Sequence, residues 1–302
     1  MIGVTMKHLR YFEALARLGH FGRAAEDCAI SQPALSMQVR ELEGLVGAPL
    51  VERSPRGIRL TALGEDFAAR ARDILRAVDG LGDLARAAKG PLGGRLRLGV
   101  IPTIAPYLLP RIITRLGQAF PGLSLQPRET VTSRLIDDLL EARLDMAVVA
   151  LPVSEPGLHE EPLFQEEFLL VRHRDQADQP VPCAEGLREM RLLLLEEGHC
   201  FRDQALSFCN ISGPATHEQM EGSSLATLVQ MVGAGIGVTL IPEMAVALET
   251  RNAPVAVSRL TGEHPSRRIG LVWRHSSPLA GQYAEIAALL RSALVQSATG
   301  VS

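Results

Sequence analysis

The sequence predicts an α/β chain led by a separate all-α domain. Three observations carry this. Apolar residues recur at helical spacing through residues 9–46, and one unbroken helical pattern follows over 62–89. That pattern stops at Gly90-Pro91-Leu92-Gly93-Gly94, the clearest boundary in the chain. From Arg95 onward strand and helix patterns alternate, which argues an α/β architecture with mainly parallel sheets. A length of 302 residues leaves room for two or three such domains.

In the leading domain, Leu9, Phe12, Leu15, Ala16 and Leu18 form the apolar face of a first helix, which Gly19 ends. Phe21 opens a second helix that closes near Ala29. Ser31 is suited to cap a third, with Pro33 just inside it and Leu35, Val39, Leu42 and Val46 as its inward stripe. Gly47 terminates it. Two helices joined by a short turn make a helix-turn-helix, whose second helix is shaped to enter a DNA major groove. The exposed start of that helix offers Gln32, Ser36, Gln38 and Arg40, groups able to bond base edges or phosphates. Residues 50–53 and 58–61 then alternate like strands, a small wing carrying Arg53, Arg56 and Arg59. The 62–89 pattern exceeds a typical globular helix and reads as a connector or a coiled-coil seam.

Beyond the boundary, 96–100, 123–128, 144–149, 168–171, 192–195, 237–241 and 269–273 read as strands, with helices at 106–119 and 132–142. Ligands of open α/β sheets bind at the carboxyl ends of strands, here near Pro102-Thr103 and residues 196–200. Gly233-Ala234-Gly235-Ile236-Gly237 superficially resembles a dinucleotide turn. It follows a helix and precedes a strand, the reverse of the required order, and reads as a helix stop.

Charge is uneven. Residues 1–90 hold 13 basic against 11 acidic side chains, and 91–302 hold 18 against 23, so only the leading part leans toward an anionic partner. No apolar run approaches the ~20 residues that span a bilayer and no secretory pattern is read, so a cytoplasmic, reducing setting without a membrane is expected. Four cysteines are too few for a disulfide scaffold. Cys28 reads as a small buried side chain and Cys183 as a loop spectator. Cys200 differs, because His199 and Arg202 flank it, and a cationic neighbour favours the reactive thiolate. Cys209, nine positions on, can resolve a sulfenic acid to a disulfide. On one helix that separation is roughly 13–14 Å of rise, whereas a disulfide needs Cα atoms within roughly 7 Å. The bond then requires this segment to refold, which makes it a switch. A zinc site from His199, Cys200, Cys209 and His217 lacks the tandem spacing of structural sites, so neither metal nor cofactor is expected.

Leu9-Arg10-Tyr11-Phe12, Phe21-Gly22-Arg23-Ala24-Ala25, Ser31-Gln32-Pro33-Ala34-Leu35-Ser36 and Leu50-Val51-Glu52-Arg53 together resemble the winged-helix end of LysR-type transcriptional regulators. The likeness runs through nearly the whole chain. It implies a winged domain at 1–65, a linker and dimerisation helix at 66–92, and a regulatory domain at 93–302. That domain would hold two Rossmann-like subdomains (93–168 with 271–302, and 169–270) flanking a cleft, as in periplasmic binding proteins. By the resemblance Gln32, Pro33, Ser36 and Arg53 touch DNA, while position 37, basic in many members, is Met37 here.

Within that group, Gly198-His199-Cys200-Phe201-Arg202-Asp203-Gln204 with Phe208-Cys209 resembles the OxyR peroxide sensors, as do the stretches 101–110 and 268–273. The resemblance implies Cys200 as peroxidatic thiolate and Cys209 as resolving thiol. Thr103, Thr132 and His199 would line a hydrogen-peroxide pocket, and Arg202 and Asp203 would tune the thiolate or anchor the reduced form. Thr103 and Thr132 also read as N-caps of the two helices that follow them. The implied partners are promoter DNA, RNA polymerase, further copies in a homotetramer, and glutaredoxin or thioredoxin as reductant. Two other readings stay open. One is a regulator of this type that senses a small organic effector with bystander cysteines. The other is a thiol peroxidase turning over on Cys200, against which stands a whole domain built for DNA contact.

Overall fold

Capping residues start and stop the helices of the first of two units, Met1–Ala85. Thr5 and His8 form a reciprocal capping box on α1 (Met6–Leu18), and Gly19, at φ +60°, ends it. After α2 (Phe21–Asp27), Ala29 turns the chain at φ +53°, and Ser31 caps α3 (Gln32–Val46) by accepting from the Ala34 N–H. Phe12, Leu15, Ala24, Leu35, Val39 and Leu42 close the core between these helices, while Val46 is only partly buried. The Glu43 carboxylate accepts from the Leu50 and Val51 N–H groups and ties α3 to the wing, β1 (Val51–Ser54) with antiparallel β2 (Gly57–Leu60). The long α4 (Ala62–Ala87) follows. A Cβ at Gly64 would lie 2.0 Å from the Leu50 carbonyl oxygen, so only glycine lets its first turn approach the wing this closely. This computed structural model describes residues 3–54, 57–87, 93–208 and 221–298.

The second unit, Arg86–Ser302, alternates β3 (Gly94–Val100), α5 (Ala105–Ala119), β4 (Leu123–Glu129), α6 (Thr132–Leu140) and β5 (Met146–Leu151). Next come β6 (Leu158–His173), β7 (Leu194–Leu195), α7 (Cys200–Phe208), β8 (Glu221–Gly222), α8 (Leu225–Gly233), β9 (Thr239–Pro242) and α9 (Glu243–Glu249). The unit finishes with β10 (Val255–Ser258), β11 (Ser266–Arg274) and α10 (Ala280–Ala298). Strand order in the main sheet is β10-β6-β11-β5-β3-β4, with β9 also on β6.

The expectation of mainly parallel sheets is corrected. Among the described residues parallel pairing joins β3 with β4 and β5, β7 with β8, and Leu192 with Val238 in an isolated bridge; β6, β9, β10 and β11 pair antiparallel. The cause is connectivity. The chain leaves the first half of the unit along β6 and returns along β11, and an outgoing and a returning strand side by side run antiparallel. The polar run through Glu160, Glu161, Glu166 and Glu167 hid most of the 16-residue β6 from hydropathy alone.

Two cores result. One packs Leu98, Val100, Ile112, Leu135, Val148, Leu271 and Trp273. The other packs Phe168, Val171, Leu194, Phe201, Leu228 and Ile241. β6 contributes to both, Leu163 to the first and Leu170 to the second; the second core ends at Leu260 and the first resumes at Ile269. The helix stop at residues 233–237 holds, with Gly235 at φ +78° just past α8.

Candidate functional site

Thr103 stands just beyond β3 and Thr132 opens α6 just beyond β4, so adjacent parallel strands present two hydroxyls at their carboxyl ends. From the other subdomain, α7 begins at Cys200 with His199 immediately before it. Ile101, Pro102, Thr103, Val131, Thr132, His199, Cys200 and Phe201 line one narrow pocket. Cys200 is half-buried and packs against the first core, while its neighbour Phe201 belongs to the second. The thiol therefore sits on the seam between subdomains.

Neither threonine is an N-cap. Ile104 and Val131 occupy the cap positions of α5 and α6, without side-chain cap bonds, because each threonine falls one residue off the cap. Instead the Thr103 hydroxyl accepts from Arg267 Nη1 at 2.8 Å and its carbonyl from Nη2 at 3.1 Å. Among the described residues the Thr132 Oγ1 is buried with no hydrogen-bond partner. Such an orphan costs about 1–3 kcal/mol, and it stands in the wall of the pocket that holds Cys200.

Arg267 escaped the sequence reading, although it directly precedes a stretch quoted there. Its guanidinium is fully buried, paired to Glu166 at 2.9 Å and lying 5.4 Å from the centroid of the Phe201 ring. Phe201 in turn meets Phe168 edge-on at 4.7 Å. Burial pushes the Glu166 carboxyl up from its ordinary value, opposed by Arg267 and by the Met244 N–H. Only a buried cation among carboxylate, hydroxyl and aromatic partners marks this residue, and no linear motif carries that signal.

Arg202 is buried and donates to the Leu195 carbonyl at 2.8 Å and to Glu221 Oε1 at 2.6 Å, which fastens α7 to the β7–β8 pair. Asp203 is exposed in the first turn of α7, where a carboxylate suits the helix dipole. Cys209 and His217 lie outside the described residues. Cys28 packs beside the first unit's core, its thiol pushed up by burial and then by Asp27 and Glu13, and Cys183 is exposed.

In the first unit, Gln32, Ser36 and Arg40 share one face of α3 at four-residue spacing, Gln32 and Arg40 exposed and Ser36 half-buried. Pro33 is exposed beside them, and Met37 is 62% exposed. Gln38 differs, since its amide donates to Glu41 Oε2 at 2.8 Å. Arg53 lies on β1, paired with Ile58, and Arg56 lies outside the described residues.

Two family models cover most of the chain: the bacterial regulatory helix-turn-helix protein of the lysR family matches residues 6–65, and the LysR substrate binding domain matches residues 89–295. The chain belongs to the LysR family. A probable hydrogen peroxide-inducible genes activator from Streptomyces viridosporus is 43% identical over 96% of this chain and 94% of its own length. The DNA-binding transcriptional dual regulator OxyR of Escherichia coli is 39% identical over 96% and 95%. Among solved structures, full-length OxyR from Pseudomonas aeruginosa carrying a cysteine-to-aspartate substitution superposes with a TM-score of 0.71 at 38% identity, over 95% of each chain. A peroxide-bound cysteine-to-serine mutant of Corynebacterium glutamicum OxyR gives 0.66 at 35%, over 99% of this chain and 96% of that one. This LysR-family regulator is thus closely related to OxyR. Among its described residues no helix is long and apolar enough to cross a membrane.

Proposed function

We propose that the chain is a DNA-binding transcriptional activator that senses hydrogen peroxide through a reversible Cys200–Cys209 disulfide. The observation that carries this is the Thr132 hydroxyl, buried and without a partner among the described residues, in one tight pocket with Thr103, His199 and Cys200. A buried hydroxyl without a partner is costly to keep and becomes useful when a small polar guest supplies the missing bond. Peroxide is such a guest, with a donor and an acceptor on each oxygen.

In the forward step the Cys200 thiolate attacks one peroxide oxygen along the O–O axis. The O–O bond breaks, sulfur loses two electrons to become a sulfenic acid, and the other oxygen leaves as hydroxide to be protonated to water. Thr103, Thr132 and His199 hold the two oxygens. The Cys209 thiolate then attacks the sulfenic sulfur; the S–O bond breaks, the oxygen leaves as hydroxide and takes a proton from solvent to become water, and the disulfide closes. With Cys200 at one end of α7 and Cys209 just past the other, closure unwinds that helix. Arg202 anchors the helix in the reduced form.

Residues 1–65, 66–92 and 93–302 serve as DNA-binding, linker and sensing parts. Gln32, Pro33, Ser36, Gln38, Arg40, Arg53 and Arg56 face promoter DNA. On α4, Ile74, Val78 and Leu81 are exposed at spacings of four and three, an apolar stripe suited to pairing with a second copy within a tetramer. The protein works in the cytoplasm, where it contacts RNA polymerase and is re-reduced by glutaredoxin or thioredoxin. Thiol trapping with mass mapping around a stoichiometric peroxide pulse tests the reading. A Cys200–Cys209 linkage within seconds, absent in Cys200→Ser, is expected; free thiols at both positions after the pulse would overturn it.

A further inference from the structure

Helix α9 is held at both ends across the cleft. At its start the Met244 N–H donates to Glu166 Oε1 at 2.9 Å, and Met244 packs against the first core. At its end Glu249 accepts from the Tyr107 hydroxyl at 2.6 Å. Tyr107 comes from α5, on the first subdomain, yet its ring packs against the second core. Burial and the Glu249 bond push the phenol far above its ordinary value, so it remains a neutral donor throughout the physiological range.

Tyr107 and Glu249 also wall a cavity of about 180 Å³ next to the thiol pocket. The two spaces share Pro102, Thr103 and His199. His199 therefore stands between a space that can hold several small polar molecules and the narrower thiol pocket.

We propose that the Tyr107–Glu249 bond is a positioning latch that holds the two subdomains closed on the Cys200 pocket, with the adjoining cavity as the antechamber through which peroxide arrives. The latch does not line the thiol pocket itself. It fixes the spacing between the threonines of the first subdomain and the His199-Cys200 pair of the second. A small oxidant needs those walls close, so that both its oxygens are held at once. A bulky electrophile is excluded by the same closeness. The latch thus sets selectivity for peroxide over other thiol reagents. The inference rests on the peroxide reading of the site.

The test compares two second-order rates at Cys200 in the reduced full-length protein, oxidation by hydrogen peroxide and alkylation by N-ethylmaleimide. Tyr107→Phe keeps the ring in the second core and removes only the hydroxyl. It is expected to lower the ratio of peroxide to maleimide rates by about tenfold, the scale of one lost hydrogen bond. Glu249→Ala should match it, the double variant should be no worse than either single, and Glu249→Gln, which keeps an acceptor oxygen, should restore most of the ratio. A variant that is merely less stable moves melting temperature without this inversion of rates. An unchanged ratio in Tyr107→Phe, with peroxide still fast in the unaltered protein, would overturn the latch alone. A Cys200 in the unaltered protein that ignores peroxide would overturn the peroxide reading and the latch with it.

Discussion

Arg267 grips Thr103 at two points, hydroxyl and carbonyl, while pairing with Glu166 through the same guanidinium. The arginine thereby fixes one wall of the thiol pocket. It also fixes the direction of the Thr103 hydroxyl, whose proton must point away from the donor it accepts from, leaving that threonine a donor toward the pocket.

Replacing Arg267 with Met should be severe, because it leaves Glu166 buried without its cation. A loss of about 3–5 kcal/mol is expected in urea unfolding of the full chain. The double change Arg267→Met with Glu166→Met should recover a large part, because both charges then leave together. A loss under about 1 kcal/mol in the single variant would contradict this account of the pair.

Thr132→Val is expected to separate stability from sensing. It removes an unpartnered hydroxyl with almost no change in volume, so stability should hold or rise by up to about 1 kcal/mol. Peroxide reactivity of Cys200 should fall by one to two orders of magnitude, on the order of one lost oriented donor in a reaction site. Equal losses of both would mean the hydroxyl has a structural partner after all.

Two glutamates five residues apart on β6 should give opposite pH dependences. Glu161 is held below its ordinary value, first by Arg291 and then by His159. Its contribution is present above the ordinary glutamate range and lost as pH falls through it toward the lowered value. Glu166 is raised by burial. Its contribution is therefore present below the ordinary value and lost as pH rises through the raised one. Melting temperature against pH should lose part of its acid fall in Arg291→Ala and part of its fall on the other side in Glu166→Gln.

On the α3 face, Gln32→Ala should weaken specific promoter binding more than Gln38→Ala, whose amide is already engaged by Glu41. A contact to a base edge is worth roughly 1–3 kcal/mol. Arg40→Ala, if the guanidinium meets phosphate, should weaken all sequences alike and reduce the salt slope by about 1. Titrations at several salt concentrations decide between the two kinds of contact.

Local signals were legible wherever a residue acts on its own neighbourhood. Gly19, Ser31 and Gly47 cap or stop helices as their types require, and the apolar stripe of α3 closes its core at Leu35, Val39 and Leu42. The gathering of Thr103, Thr132, His199 and Cys200 was legible through resemblance, since nothing in their spacing brings residues a hundred positions apart together. What sequence reading missed is set by tertiary distance. Arg267, Glu166 and the Tyr107–Glu249 pair acquire their meaning only once β6 and β11 lie side by side and α5 faces α9. The cap readings of both threonines failed for a narrower reason, a one-residue displacement from the cap position.

Strand β6 runs from the first core into the second, while its pairing with β11, from Leu158 opposite Arg274 to Glu167 opposite Ser266, shifts register between Ile269 and Gly270 and stops at the edge of the second core. A two-jawed protein closes on its guest by bending at thin, loosely bonded crossings. Here the ladder ends where the second core begins, so the two halves are joined at a place able to bend, and a helix remade at Cys200 has a joint through which to pull on the other half.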